Sequence, residues 1–384
     1  MALKTILGQP SWRVASSSVE AYLTAQGGHM APVTFDRKGR KLRPYAVAPW
    51  WNEKLPAPLP PLLKVLRGDF FCLPFGGNAT PYRGERHPPH GETCNRKWRF
   101  VGLSRQGDRA TLHARMKTRT RPGVVEKTIM LVDGHNAVYS RHVVSGMRGP
   151  MTPAHHATLR FPDVPCSGVV SMSPIKYGMV RPDPPERPED RSYSMLQPGG
   201  TFRRLDQVPT ITGERTDVSR YPARRGFEDI VLLVTQPRRP FAWTAVAFPD
   251  ERYVWFALKD PAVLKHTLLW LSNGGRHFAP WNGRHLNVMG LEEVTAYFDY
   301  GLAESARANR LTALGDDTCL RLDPRRPLVV NYIMAVATVP KRFDRVQSIA
   351  PVRGRDAVTL TAHSGARVTV PLDYRFLKSN VATM

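Results

Sequence analysis

Proline sets the first limit on this chain. Its 384 residues include 35 prolines, often close together, as in LPAPLPP (55–61) and RPDPPERPED (181–190). Each proline lacks a backbone donor and clashes with the preceding helical turn, so long helices cannot run through such a sequence. Between the prolines lie short runs that alternate or are rich in β-branched and aromatic residues: ATLHARMKTRT (110–120), AVYSRHVVSG (137–146) and RYVWFALKD (252–260). These predict strands. AVTLTAHSGARVTVPLDY (357–374) predicts a hairpin turning at Ser364 and Gly365. Helices are expected to be few, the best candidate lying within EEVTAYFDYGLAESARANRL (292–311), with a short helical turn in PPLLKVLRG (60–68). No internal repeat is visible. Many short strands without alternating long helices imply an all-β fold, a large antiparallel β-sandwich with few short helices. A single domain over residues 1–384 is expected, with long proline-rich loops near 54–61 and 181–190.

Charge and cysteine content narrow the partners. Lys and Arg number 55 against 32 Asp and Glu, a formal net charge of +23. Such a balance draws a protein towards anionic ligands. The basic residues are nevertheless spread out, in small clusters such as RKGRKLR (37–43), KTRTR (117–121) and PRRP (237–240), and no helix-turn-helix, zinc-finger or RNA-recognition signature accompanies them. No specific nucleic acid is therefore expected. The four cysteines, Cys72, Cys94, Cys166 and Cys319, form no C-x-x-C pair and no disulfide framework, which fits reduced thiols in a cytoplasmic protein. No apolar run reaches the roughly 18 residues of a membrane span. Gly8, Gln9 and Pro10 interrupt any secretory apolar core at the N-terminus.

Three polar stretches carry possible chemistry. PPHGETCNRKW (88–98) follows His87 and holds His90, Glu92 and Arg96; MTPAHHATLRFP (151–162) holds His155 and His156; SNGGRHFAPWNGRHLNVMGLEEV (272–294) holds Arg276, Trp281, Asn282, Arg284, Glu292 and Glu293. His87 and His90 lie three apart, but on an extended loop such a pair does not share a face, and no further ligand follows at a metal-site spacing. No metal or other cofactor is expected. No G-x-S-x-G elbow supplies a nucleophilic serine. What fits is acid–base chemistry on a sugar: an aromatic face for the ring, polar groups for hydroxyls, and titratable groups for proton transfer. A histidine ionising near 6.5 suits that role at neutral pH.

PPHGETCNRKWRF resembles the P-x-H-G-x-x-R/N-x-x-W segment of aldose 1-epimerase, or galactose mutarotase-like, proteins. PAHHATLRFP resembles the segment with the second histidine, GFEDIVLLV (226–234) the one with a substrate-binding aspartate, and VMGLEEV the G-[IVL]-E-P segment with the catalytic glutamate. LDQVPTITGE (205–214) resembles the stretch that precedes the aspartate segment, and order and spacing match over about residues 15 to 340. The resemblance implies a β-sandwich that interconverts the α and β anomers of a free or anionic sugar through ring opening. It implies Glu292 as base, His155 or His156 as acid, His90 at the ring oxygen and Asp229 among the substrate contacts. The polar stretches themselves add Arg96, Arg276, Trp281, Asn282 and Arg284 as candidate substrate contacts, with Asn78 ahead of the first stretch. Neighbours on an extended segment alternate faces, so one of His155 and His156 is structural. Glu293 stands where the family has proline, and the family's arginine has only Arg67, Arg83 or Arg86 as imperfect counterparts. Another carbohydrate-active enzyme on this fold, a lyase or hydrolase, and a non-catalytic sugar-binding protein stay open, as do the sugar and the oligomeric state.

Overall fold

The structure is a computed structural model that describes residues 3–55, 59–184, 187–237 and 240–379. Two large antiparallel sheets dominate it. The first has seven strands in the spatial order Thr201–Phe202, Ile175–Val180, Phe227–Thr235, His266–Asn273, Val288–Val294, Ala154–Arg160 and Phe71–Cys72. The second has nine, in the order Arg220–Tyr221, Gly168–Met172, Ala242–Phe248, Tyr253–Lys259, Leu328–Thr338, Ala137–Ser145, Gly123–Val132, Arg109–Thr118 and Arg99–Gln106. This is the expected β-sandwich. The only α-helices among the described residues, Pro61–Val65 and Leu302–Ala306, have five residues each; no helix there is long and apolar enough to cross a membrane.

Successive residues of a strand face opposite sides, and the burial pattern follows that rule. Val231, Leu233, Leu269, Leu271, Met289, Leu291, Ala157 and Leu159 of the seven-stranded sheet meet Trp255, Tyr332, Met334 and Ile129 of the nine-stranded sheet in one core. The intervening residues Ile230, Leu232, Leu268, Trp270 and Val294 face the other way and pack beneath Trp50, Leu62, Leu66, Phe70 and Trp281. A three-stranded sheet, Val346–Pro351, Ala357–Ala362 and Arg367–Pro371, covers the back of the nine-stranded sheet through Val358, Leu360 and Val370. Its last two strands form the expected hairpin, paired from Ala357 with Pro371 to Thr361 with Arg367.

The helix expected within 292–311 is largely absent. Residues 292–294 continue the strand Val288–Val294, which is paired on both sides, with His266–Asn273 and with Ala154–Arg160. Two ladders satisfy that backbone better than a first helical turn would. Beyond it, left-handed Phe298 (φ +49°) and Gly301 (φ +132°) stop a helix from propagating, and only Leu302–Ala306 coils. Parts of both proline-rich loops, residues 56–58 and 185–186, and Arg238 and Arg239 of the PRRP cluster lie outside the described residues. All four cysteines are free; Cys72 and Cys94 are buried and Cys166 is exposed.

The inter-sheet core is not wholly apolar. Glu293 is buried there against Lys259, and Thr267 Oγ1 donates to the carboxylate at 2.7 Å. Lys259 Nζ also donates to the His266 carbonyl at 2.7 Å. A buried pair of this kind adds little net stability, yet removing one partner leaves an uncompensated charge that costs about 3–5 kcal/mol. Lys259→Met should therefore lower the urea midpoint sharply, while the double variant Lys259→Met/Glu293→Leu should recover most of the loss. Equal midpoints for the single and double variants would contradict this account.

Candidate functional site

The outer face of the seven-stranded sheet is the floor of a cleft of about 230 Å³. That size is below the roughly 300–1,000 Å³ typical of ligand pockets and suits only a small ligand. His156, Glu292, Leu268, Trp270 and Ile230 form the floor. Register explains why these side chains meet. His156 is directly opposite Glu292 on one side of the strand Val288–Val294, and Leu268 is opposite Glu292 on the other. His156 Nε2 lies 3.2 Å from Glu292 Oε1. The walls come from Pro60, Leu62, Leu63, Leu66 and Phe70, from Pro89 and His90, and from Arg276 and Trp281, with Asp299 at one edge.

The mostly apolar walls govern the charges. Burial pushes the Glu292 carboxyl well above its ordinary range, and Asp299 pushes it further, while Arg276 opposes both. Burial pushes His156 well below the usual imidazole value, with His90 and His29 acting in the same direction. A carboxyl pushed up and an imidazole pushed down form a pair that holds one proton and no net charge. Phe70 stacks on His156 with centroids 4.3 Å apart, and Trp270 meets it edge-on at 5.9 Å. His90 approaches His156 edge to face at 5.3 Å and is itself brought down to about 4, first by burial.

Trp270 and Trp281 stand perpendicular with centroids 5.9 Å apart, and the Arg276 guanidinium lies 4.6 Å from the Trp281 ring centroid. Behind them, Glu228 Oε2 accepts from Trp270 Nε1 and Oε1 from Ser272 Oγ, both at 2.8 Å. Ser272 Oγ in turn meets His285 Nδ1 at 2.6 Å, and His285 stacks on Trp270 at 5.4 Å. Asp299 accepts from Arg181 Nε at 2.6 Å, and that guanidinium lies 4.1 Å over Tyr300.

The sequence-derived candidates separate into two groups. Glu292, His156, His90, Arg276 and Trp281 line the cleft. His155 points the other way, into the inter-sheet core, with Nδ1 3.0 Å from Asp69 Oδ2 and its ring 4.4 Å from that of Tyr332. Asp229 shares that inward parity and accepts from the Met195 and Leu196 amides at 3.1 and 2.9 Å. Asn78 ties its own loop, donating to the Gly76 and Pro88 carbonyls and accepting from the Leu302 amide. Arg96 pairs with Glu92 at 2.6 Å, and Arg284 forks onto Glu53 at 2.6 and 2.8 Å. Asn282 sits in the left-handed region (φ +46°) of the loop that carries Trp281, its amide bonded to the Phe278 carbonyl. His87 turns to Glu85 at 3.0 Å, away from His90. Arg67 is buried on the Ile6, Leu7 and Val65 carbonyls.

Several cleft residues escaped sequence reasoning. Trp270 and Glu228 were readable in principle, because each has the parity of an outward residue once its strand is paired with the one bearing Glu292. Phe70 and Asp299 gave no signal, since each follows a left-handed residue, Gly68 (φ +54°) and Phe298 (φ +49°). Leu62, in the helix Pro61–Val65, and Arg181, just past the strand Ile175–Val180, gave none because only long-range packing brings those elements together.

His90 itself owes its position to the backbone. It is left-handed (φ +58°), its amide bonds the Gly76 carbonyl at 2.6 Å, and Gly91 beside it has φ +82°. A Cβ on Gly91 would come within 2.0 Å of the Leu73 carbonyl oxygen. Gly91→Ala should therefore cost more than the roughly 1 kcal/mol typical of an ill-placed alanine, read as a lowered urea midpoint. A midpoint unchanged from wild type would refute the close approach.

No protein-family model and no curated protein matches this chain. Solved structures do. A galactose mutarotase-like protein from Clostridium acetobutylicum superposes with a TM-score of 0.56 at 11% identity, covering 88% of this chain and 98% of that one. A galactose mutarotase-like protein from Lactobacillus casei gives 0.54 at 11% identity over 85% and 100%. A galactose mutarotase related enzyme from Lactobacillus acidophilus gives 0.52 at 11% over 86% and 98%. At such identities the likeness is one of fold: this chain shares the β-sandwich of these galactose mutarotase-like structures.

Proposed function

We propose that this protein is an aldose 1-epimerase that interconverts the α and β anomers of a small free sugar. The observation that carries the reading is the Glu292–His156 pair, 3.2 Å apart on the floor of a small apolar cleft. Ring opening of a hemiacetal needs a proton removed from the C1 hydroxyl and one delivered to the ring oxygen. A pair holding one proton can do both. The shifts leave the resting proton on Glu292. Its transfer to His156 across the 3.2 Å contact gives the working form, in which Glu292 takes the C1 hydroxyl proton while His156 gives its own to the ring oxygen. Rotation about C1–C2 and reclosure by the reverse transfers yield the other anomer and return the pair to its starting state. His90 assists at the ring oxygen. Trp270 and Trp281 offer faces to the C–H side of the ring, and Arg276 above them suits a hydroxyl or an anionic substituent. The superposed fold of a galactose mutarotase related enzyme supports the sugar assignment.

Saturation-transfer NMR across neutral, phosphorylated and uronic aldoses tests the reaction directly. Wild type should exchange anomers of at least one of them faster than buffer, and Glu292→Gln should lose about 10²–10⁴ of that rate. Binding without exchange on every sugar would replace the enzyme with a sugar-binding protein. Exchange that survives the substitution would remove Glu292 as base.

The pH profile follows from the direction of the shifts. The active pair carries one proton, gains a second only below the lowered value of His156, and loses its own only above the raised value of Glu292. The plot of kcat/KM should be flat through pH 6.5, where a free imidazole would be half charged, with its alkaline limb well above the 4.5 of an ordinary carboxyl. A limb centred near 6.5 would contradict the coupling of the two groups.

A further inference from the structure

His90 is the cleft residue whose chemistry depends most on its tautomer. Its Nδ1 lies 3.6 Å from Cys72 Sγ, and no other hydrogen bond to the ring occurs among the described residues. The ring has little freedom to turn. Phe75 meets it at 5.0 Å, Phe70 at 6.2 Å and His156 at 5.3 Å, each close to perpendicular. Cys94 Sγ donates to the His90 carbonyl at 3.1 Å, and the Leu73 amide bonds the same oxygen at 3.3 Å. Cys72 is equally fixed, since it ends the strand Phe71–Cys72 and pairs with Ala154, two residues before His156.

Two pairings are open to a thiol and an imidazole: S–H donating to Nδ1, or Nδ1–H donating to sulfur. Burial, and then the neighbouring Cys94 thiol, raise the Cys72 thiol well above its ordinary 9.0, so sulfur keeps its proton. Cys94 competes as an acceptor for it, but as a thiol it is a weaker acceptor than an imidazole lone pair. Burial brings His90 to about 4, so the ring is neutral at neutral pH. A neutral imidazole has one N–H and one lone pair, while a thiol is a weak donor and a weak acceptor. If Nδ1–H pointed at sulfur, the strong donor of the ring would be spent on a weak acceptor and its lone pair would face the apolar cleft. The opposite arrangement gives the lone pair a donor and leaves the N–H for a ligand.

We propose that Cys72 is a positioning residue whose thiol donates to Nδ1 of His90 and holds the imidazole in the tautomer that presents Nε2–H to the cleft. The usual partner of a functional histidine is a carbonyl or carboxylate, which accepts from Nδ1–H and leaves Nε2 as the basic atom. The thiol reverses this. His90 becomes a hydrogen-bond donor towards a ligand oxygen, and proton removal is left to the Glu292–His156 pair. The consequence for catalysis rests on the epimerase reading above; the tautomer does not.

The test is ¹⁵N NMR of the full chain labelled at histidine, with the His90 signals assigned by their loss in His90→Gln. Wild type should show Nε2 protonated and Nδ1 unprotonated, and Cys72→Ser, which keeps a donor, should show the same. Cys72→Ala should move His90 to a mixture of tautomers. A wild-type spectrum with Nδ1 protonated overturns the proposal, as does a Cys72→Ala spectrum unchanged from wild type. In the exchange assay Cys72→Ala should lower kcat by roughly 10-fold with KM little changed, the scale on which partners of a functional histidine act, and Cys72→Ser should restore it. The expected tautomer with no exchange on any sugar would uphold the role of Cys72 and sink the epimerase reading. Exchange with Nδ1 protonated would do the reverse.

Discussion

The period of two along the seven-stranded sheet is the constraint on which the rest depends. A slip of Ala154–Arg160 by one residue against Val288–Val294 would turn every side chain of the slipped strand to the opposite face. His155 would enter the cleft and His156 the core, and Glu292 would lose its partner. The register is held from both sides. Inside, Glu293 finds Lys259 and two threonines, and His155 finds Asp69. Outside, Glu292 finds His156. Each buried polar group has its partner only in this one register, so the same charges that add little net stability specify the pairing.

Over that floor, the covering layer sets the electrostatics. Leu62, Leu63, Leu66, Phe70 and Pro89 exclude water from one side of the cleft, and the cost of charging a group there is what drives Glu292 up and His156 and His90 down. The charged residues nearby, Arg276 and Asp299, pull in opposite senses on Glu292 and leave desolvation in command. Acid–base readiness at neutral pH is thus a property of an apolar wall as much as of the titrating groups. The strained loop at His90 and Gly91 belongs to the same arrangement, since left-handed backbone at both residues lets the ring stand against Phe75 and Cys72.

Much of this was legible in the residues. Proline density and alternating runs predicted the sandwich, and Ser364-Gly365 predicted the hairpin, because both signals are local. The helix over 292–311 misled for a physical reason: helix propensity is local, whereas two flanking ladders are not, and the ladders claimed residues 292–294. The aspartate segment shows the same limit. GFEDIVLLV offers Glu228 and Asp229 side by side, and the pairing with His266–Asn273 turns Glu228 towards Trp270 and Asp229 towards the Met195 and Leu196 amides.

The sequence by itself determined the class of fold, the order of the polar segments, and the fact that only one of two adjacent histidines could share a site with Glu292. Tertiary structure decided which. Parity within a strand is written in the chain, but its phase relative to the core is set only when strands from residues 71, 154, 266 and 288 onward pair, and those contacts join segments far apart in sequence. The same long-range packing chose Arg276 and Asp299 rather than Arg96 and Asp229 to flank the paired Glu292 and His156, because proximity across a sheet depends on which strands are neighbours and not on distance along the chain.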